Sequence, residues 1–285
     1  MLREVQTARD RGAVKRRFLH ELLLLGLLFV VYRVGRLLVA GHTREAFAHA
    51  DQVWGLERRL RLPNELLLQD ALLHNRGLVE AANSYYAAVH FPATVAFLAW
   101  LLLRRPQHYF WVRRTIVALT GAALAIHMLY PLAPPRLTPE LGFIDTGAVF
   151  GPAVYGPPDG GSVANQFAAM PSLHIGWALL VAIGLIVATR TRWRWLWLAH
   201  PLVTSAVVVA TANHYWLDGI VAVGLLGMAL VAVGAPVMPG LRAWQAEPAL
   251  PRQRRSTSRS GANASSRAPS TGPVGAVRVP TSTER

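Results

Sequence analysis

The sequence predicts an all-helical, polytopic membrane protein with about six transmembrane helices. Three observations carry that expectation. The 285-residue chain is 53% hydrophobic and only 15% charged, a balance foreign to a soluble domain of this length. Its apolar residues gather into runs near the ~20 residues that a helix needs to cross ~30 Å of hydrocarbon. Its arginines gather at the edges of those runs, as they do where positive charge marks the cytoplasmic loops.

Residues 1–17 form a basic N-terminus, with five arginines and Lys15 against Glu4 and Asp10. A membrane-embedded domain is expected over 18–240. Its first span lies near 18–40 and carries Arg33 and Arg36. The long apolar run without a small-residue cleavage site reads as a retained anchor, not a signal peptide. Over 43–75 charges recur every few positions, so this stretch is not expected to span. Leucines 66–68, 72 and 73 recur at helical spacing behind Pro63-Asn64, a helix-capping pair. Two short helices lying on the membrane surface as a hairpin fit this pattern.

Further spans are expected near 78–103, 115–131, 168–189, 195–213 and 216–236. Between the third and fourth lies a Pro/Gly-rich loop (132–167), longer than loops without a function usually are. From 241 to 285 the chain is rich in Arg, Ser, Thr and Pro. Such a tail cannot bury enough apolar surface to fold. The net charge of +14 sits mostly at the two ends. No folded nucleic-acid reader accompanies the tail, so the expected partners are membrane lipids and not nucleic acid. The chain has no cysteine, which excludes disulfides and thiolate metal sites.

The positive residues orient the chain. With six spans, the N-terminus, the loop at Arg104-Arg105 to Arg113-Arg114, the loop at Arg190 to Arg194, and the tail share one side, the cytoplasm. Arg136, His174, His214 and Asp218 then share the opposite, extracytoplasmic face of the cell membrane. None of those four residues enters the charge argument, so their convergence is independent support for one site.

Ionisable residues at the edge of hydrocarbon are costly and point to function. His214 and Asp218 are four apart. On one helical face the carboxylate accepts from the imidazole, which fixes the tautomer and leaves the other ring nitrogen free as nucleophile or base. His174 follows Pro171-Ser172 at the start of a span, where free backbone N–H groups and the helix dipole favour an anion. A histidine there can protonate a leaving oxygen. Arg136, behind Pro134-Pro135, can hold phosphate oxygens bidentately.

Pro171-Ser172-Leu173-His174 and His214-Tyr215-Trp216-Leu217-Asp218 resemble the second and third motifs of the type-2 phosphatidic acid phosphatase superfamily. Within it the chain looks most like the inositol phosphorylceramide synthase-like branch, over roughly residues 20–236. The resemblance implies that His214 attacks phosphorus with Asp218 orienting it, and that His174 acts as general acid and base. It implies a lipid phosphate or diphosphate substrate, with water as acceptor in a phosphatase. A lipid alcohol is the acceptor in a phosphotransferase. The scheme needs no cofactor and no metal. Arg136 and Ser172 are the expected phosphate contacts, with Arg36 a weaker candidate. Two family features are absent. The Lys-x6-Arg-Pro motif has no counterpart, because Lys15 is the only lysine. Val208 stands where the third motif usually carries arginine.

Three other readings fit the same residues. His174, His214 and Asp218 could ligate a catalytic zinc, which chelators would expose. The cluster could serve a transporter of lipid-linked substrates, although such sites lie nearer mid-membrane and in repeated folds. It could be structural, an interhelical hydrogen bond. Among the remaining histidines, His90 and His127 are expected to bond to neighbouring helices, and His127 is near enough to support the site. Trp193, Trp195 and Trp197 read as an aromatic belt.

Overall fold

The structure, a computed structural model, describes residues 42–152, 166–189 and 191–234, together with Leu23, Gly26 and Val30. Apart from those three residues, the first expected span (with Arg33 and Arg36) lies outside the described residues, as do the basic N-terminus, part of the 132–167 loop and the 241–285 tail.

The described chain is helical. Helix α1 (Thr43–Arg59) and α2 (Glu65–Leu73) are followed by α3 (Arg76–Ala88), α4 (His90–Arg104) and α5 (Pro106–Leu129). The short α6 (Thr146–Phe150) precedes α7 (Leu173–Ala188), α8 (Ala199–Ala210) and α9 (Trp216–Val233). Among the described residues, α5 and α9 are long and apolar enough to cross a membrane, and α3 with α4 makes a third candidate if the bent pair is one span.

Several element boundaries differ from expectation for local reasons. The second expected span is two helices bent by 43°. Pro92 lies in the first turn of α4, where its ring has no N–H to give and collides with the carbonyl four residues back, at Ala88. The third starts earlier than expected, at Pro106. Proline is at home in a first helical turn, and Arg113 and Arg114 are therefore helical, not loop residues. The stretch near 195–213 opens with a 3-10 segment, Arg192–Leu198, before α8 begins. In that segment Trp193, Trp195 and Trp197 are exposed, and Arg192 and Arg194 lie over the first two rings.

Helix α7 is the hub. It packs against α4, α5, α8 and α9, and Leu180, Val181 and Ala188 join Phe97, Leu101, Trp111, Val112, Leu119 and Leu226 in the main core. Small residues allow the approach. A methyl group at Gly184 would lie 2.5 Å from Phe97, and one at Gly219 would lie 2.7 Å from Ile175. Glycine at such crossings lets backbones close to van der Waals distance.

Helices α1 and α2 do appear where the 43–75 stretch predicts helices, and Asn64 caps α2 by accepting from Leu66 N–H at 3.0 Å. Their acidic residues are not all outward, however. Glu57, Glu65 and Gln69 are buried. The Gln69 amide grips Ile144 twice, donating to its carbonyl and accepting from its N–H, each at 2.9 Å. From α3, Asn83 donates to the carbonyls of Thr146 and Gly151 and accepts from the Thr146 hydroxyl. These two amides hold the 144–151 stretch of the long loop in place. The ends of that loop meet where Leu132 N–H donates to Phe167 O and Ala169 N–H to Leu132 O.

Candidate active site

The turn between α8 and α9 carries His214. Helix α8 ends with Ala212 in the left-handed region, φ 56°, and the N–H groups of Asn213 and His214 both return to Val208 O. This is a backbone-closed helix end. Helix α9 then begins at Trp216, two residues after His214. The His214–Asp218 contact is therefore made across a helix start and not along a helix face. Asp218 reaches back so that Oδ2 accepts from Tyr215 N–H at 2.9 Å and from His214 Nδ1 at 3.1 Å. Backbone capping and histidine orientation share one carboxylate oxygen.

His214 Nδ1 also lies 2.9 Å from Ala169 O. Both neighbours of Nδ1 are acceptors, so Nδ1 carries the proton and Nε2 presents its lone pair. Burial is the main cause that lowers His214 from 6.5 to about 4, opposed by the Ala169 carbonyl and reinforced by the positive charge of Arg136. The imidazole is neutral at pH 7. Its Nε2 faces His174 Nδ1 at 3.4 Å.

His174 stands in the first turn of α7, behind Ser172 as N-cap. The Ser172 hydroxyl accepts from Ile175 N–H at 3.4 Å. The Ser172 N–H donates to the Asp218 carbonyl at 3.0 Å, so one backbone bond ties the two sequence motifs together. Pro171 O accepts from His127 Nε2 at 3.1 Å, which gives His127 the supporting place expected of it. His174 is partly exposed and its ring lies among Tyr86, at 4.6 Å between centroids, His90, at 4.9 Å, and His214, at 5.5 Å.

Arg136 is buried beside this turn. Its backbone N–H donates to Ala212 O at 2.8 Å, Nε donates to Asn213 Oδ1 at 3.2 Å, and Nη1 pairs with Asp145 Oδ2 at 3.1 Å. Asp145 uses its other oxygen to cap α6 at Ala148. The structure thus gathers His174, His214, Asp218, Ser172 and Arg136 at one end of the bundle. Among the described residues no three His, Asp or Glu side chains are grouped to hold one metal ion.

Sequence reasoning missed Asp145, Asn213 and the amides Gln69 and Asn83, none of which belongs to a motif. It also gave His90 no part beside His174. The one available signal for Asn213 is its place immediately before the histidine.

Two motifs joined by a backbone bond and a histidine pair agree with a family comparison, in which the PAP2 superfamily model matches residues 51–232. The chain belongs to the PAP2 superfamily. Members of this superfamily are phosphatases, and a phosphatase-type function follows from that membership. The matched region runs from α1 to α9 and contains every site residue described above. No curated protein and no solved structure matches the chain.

Proposed function

We propose that this protein is an integral-membrane lipid phosphatase that cleaves a lipid phosphate or diphosphate through a phosphohistidine on His214. The observation that carries the reading is the orientation of His214. Its Nδ1–H is committed to Asp218 and Ala169, and its Nε2 is turned toward His174.

The substrate phosphoryl group parts the two rings and enters between them. The His214 Nε2 lone pair forms the N–P bond as the P–O bond to the lipid alcohol, or to the terminal phosphate's partner, breaks. The proton for the leaving oxygen comes from His174. Water then attacks phosphorus, His174 takes its proton, and the N–P bond returns its pair to His214. Asp218 stabilises the imidazolium character that develops on His214. Arg136, the Ser172 hydroxyl and the N-terminus of α7 hold the equatorial oxygens, where catalysis of phosphoryl transfer is mostly exerted. The reaction takes place at the extracytoplasmic face and requires no metal.

A second reading, phosphotransfer to a lipid alcohol, is kept open by Val208, a buried aliphatic residue where the third motif usually carries arginine. The acceptor alone separates the two.

The test is an assay of purified protein in detergent with EDTA. Lipid phosphates, lipid diphosphates and phosphoinositides are offered with and without ceramide or another lipid alcohol. Free phosphate that disappears in His214→Ala is the expected result. A new phosphodiester that requires the alcohol moves the assignment to transferase. Activity that survives His214→Ala, or is abolished by EDTA, refutes the mechanism.

A further inference from the structure

Helix α9 begins with a set of backbone N–H groups that its own carbonyls cannot satisfy. Asp218 takes one of them, at Tyr215. The N–H of Leu217, directly before Asp218, is taken by a residue 160 positions away in sequence, donating to Glu57 Oε1 at 2.7 Å. Glu57 belongs to α1 and is fully buried, as is Glu65 of α2.

We infer that Glu57 is a positioning residue for the reaction, gripping the first turn of α9 from α1 and so fixing the Asp218–His214 pair against His174. The inference rests on the phosphohistidine reading above. It concerns what holds the catalytic pair, not what the pair does.

The surrounding groups determine how Glu57 performs this. Arg58 gives its guanidinium to Glu65, Nη2 to Oε2 at 2.8 Å, and stands 3.9 Å from Glu57. Arg58 is further spent on Pro63 O and on the face of Trp54. One cation cannot neutralise two buried carboxylates, and a buried unpaired charge is costly. Glu57 Oε2 and Glu65 Oε1 are also the two oxygens of the pair that no N–H group reaches. A proton on Glu57, donated to Glu65, satisfies both at once. Burial, then that bond, then the negative charges of Glu65 and Asp218 push the Glu57 carboxyl from 4.5 up to about 9. Tyr215 also faces this group, and its hydroxyl is pushed up by burial and by Asp218, Glu57 and Glu65. Neutral Glu57 is thus a two-sided connector, accepting from α9 and donating to α2. Its ionisation places a new negative charge beside Glu65 and Asp218 and breaks the connection to α2.

The test compares Glu57→Ala and Glu57→Gln with wild type in the lipid-phosphate assay across pH, beside proton NMR of the downfield His214 Nδ1–H. That resonance is assigned by its loss in His214→Ala. The wild-type kcat is expected to have a descending limb near pH 9. Glu57→Ala is expected to lower kcat by about a hundredfold with KM within about twofold, as a small misplacement of reacting groups does, and to move the resonance. In Glu57→Gln the amide oxygen accepts from Leu217 and its NH2 donates to Glu65. This variant should recover most of the loss and lack the alkaline limb.

A Glu57→Ala protein with wild-type kcat and an unmoved resonance overturns the inference. So does an alkaline limb that persists in Glu57→Gln. If His214→Ala is active, the phosphohistidine reading fails instead, and the resonance still reports whether Glu57 sets the orientation of His214.

Discussion

A methyl group added at Gly219 would come within 2.7 Å of Ile175 Cδ1, where ordinary contact begins at 3.4 Å. The deficit is about 0.7 Å. Ile175 is packed among Tyr86, Val208 and Val209, so its terminal methyl has little room to retreat, and part of the deficit passes into the α7–α9 separation. Asp218 is the adjacent residue and His174 is adjacent to Ile175, so the same displacement opens the 3.4 Å approach of His214 to His174. Gly219→Ala is expected to destabilise by about 1–3 kcal/mol, the usual range for overpacking, and to lower kcat by about ten- to a hundredfold. The structure also specifies the remedy. Ile175→Val removes Cδ1, and the next Ile175 atoms lie 3.9 Å from the new methyl, an ordinary contact. Ile175→Val alone should cost about 1 kcal/mol. Combined with Gly219→Ala it should recover most of the lost activity, with a favourable coupling of about 1–2 kcal/mol. Thermal unfolding in detergent and phosphate release measure the two quantities on the same samples. A Gly219→Ala protein with wild-type stability and kcat, or a strictly additive double variant, would refute the reasoning.

Three further outcomes follow from the site. Asp218→Asn can keep its oxygen toward Tyr215 N–H and His214 Nδ1–H but loses the charge. Steady-state kinetics should show kcat reduced by roughly a hundredfold or more with much of the stability kept, whereas Asp218→Ala leaves the buried Tyr215 N–H without its acceptor and the His214 Nδ1–H with Ala169 O alone, and should unfold at distinctly lower temperature. His214 titrates at about 4 when folded and near 6.5 when free. Between those values the unfolded chain holds the extra proton, so its contribution to stability is whole above pH 6.5 and is lost as pH falls toward 4. Unfolding temperatures and the acid limb of kcat/KM should both report this, and His214→Gln should flatten the first. Arg136 spans Asn213 and Asp145 with two different nitrogens, a geometry that one ammonium cannot copy. Arg136→Lys should lower kcat/KM by about tenfold or more, and equal kinetics for the two proteins would remove Arg136 from the site.

The two motifs were legible because each pairs an ionisable residue with the end of an apolar run, and hydrocarbon makes such residues rare. The expected neighbourhood of His214 and Asp218 held, but for another reason than helical periodicity. The helix starts after His214, and the contact is made by a carboxylate turning back on its own N-terminus. What hydropathy could not show is where a charge is neutralised by tertiary structure. Glu57 and Glu65 look like solvent-facing residues in a charged segment and are instead buried against α9 and Arg58. The bend at Val89 and Ala88 was within reach of the sequence through Pro92, yet an apolar window averages over a proline. Asp145 was not legible, and Asn213 only through its place before His214, since their importance comes from pinning Arg136, a relation set by the fold of the loop for the one and by contact across 77 residues for the other.

Helix α7 has 16 residues, a rise of roughly 24 Å, against a hydrocarbon slab of ~30 Å. The exposed tryptophans just beyond its C-terminal end are the kind that settle at an interface. Helix α7 is shorter than the helices α5 and α9 that are long and apolar enough to cross. Were it to span with the tryptophans at one boundary, it would end several ångströms short of the other, and the mismatch would be met by thinning the bilayer locally or by letting water dip toward His174. Under the lipid-phosphate proposal above, a headgroup would then need little lifting to reach the histidines, and turnover would vary with bilayer thickness.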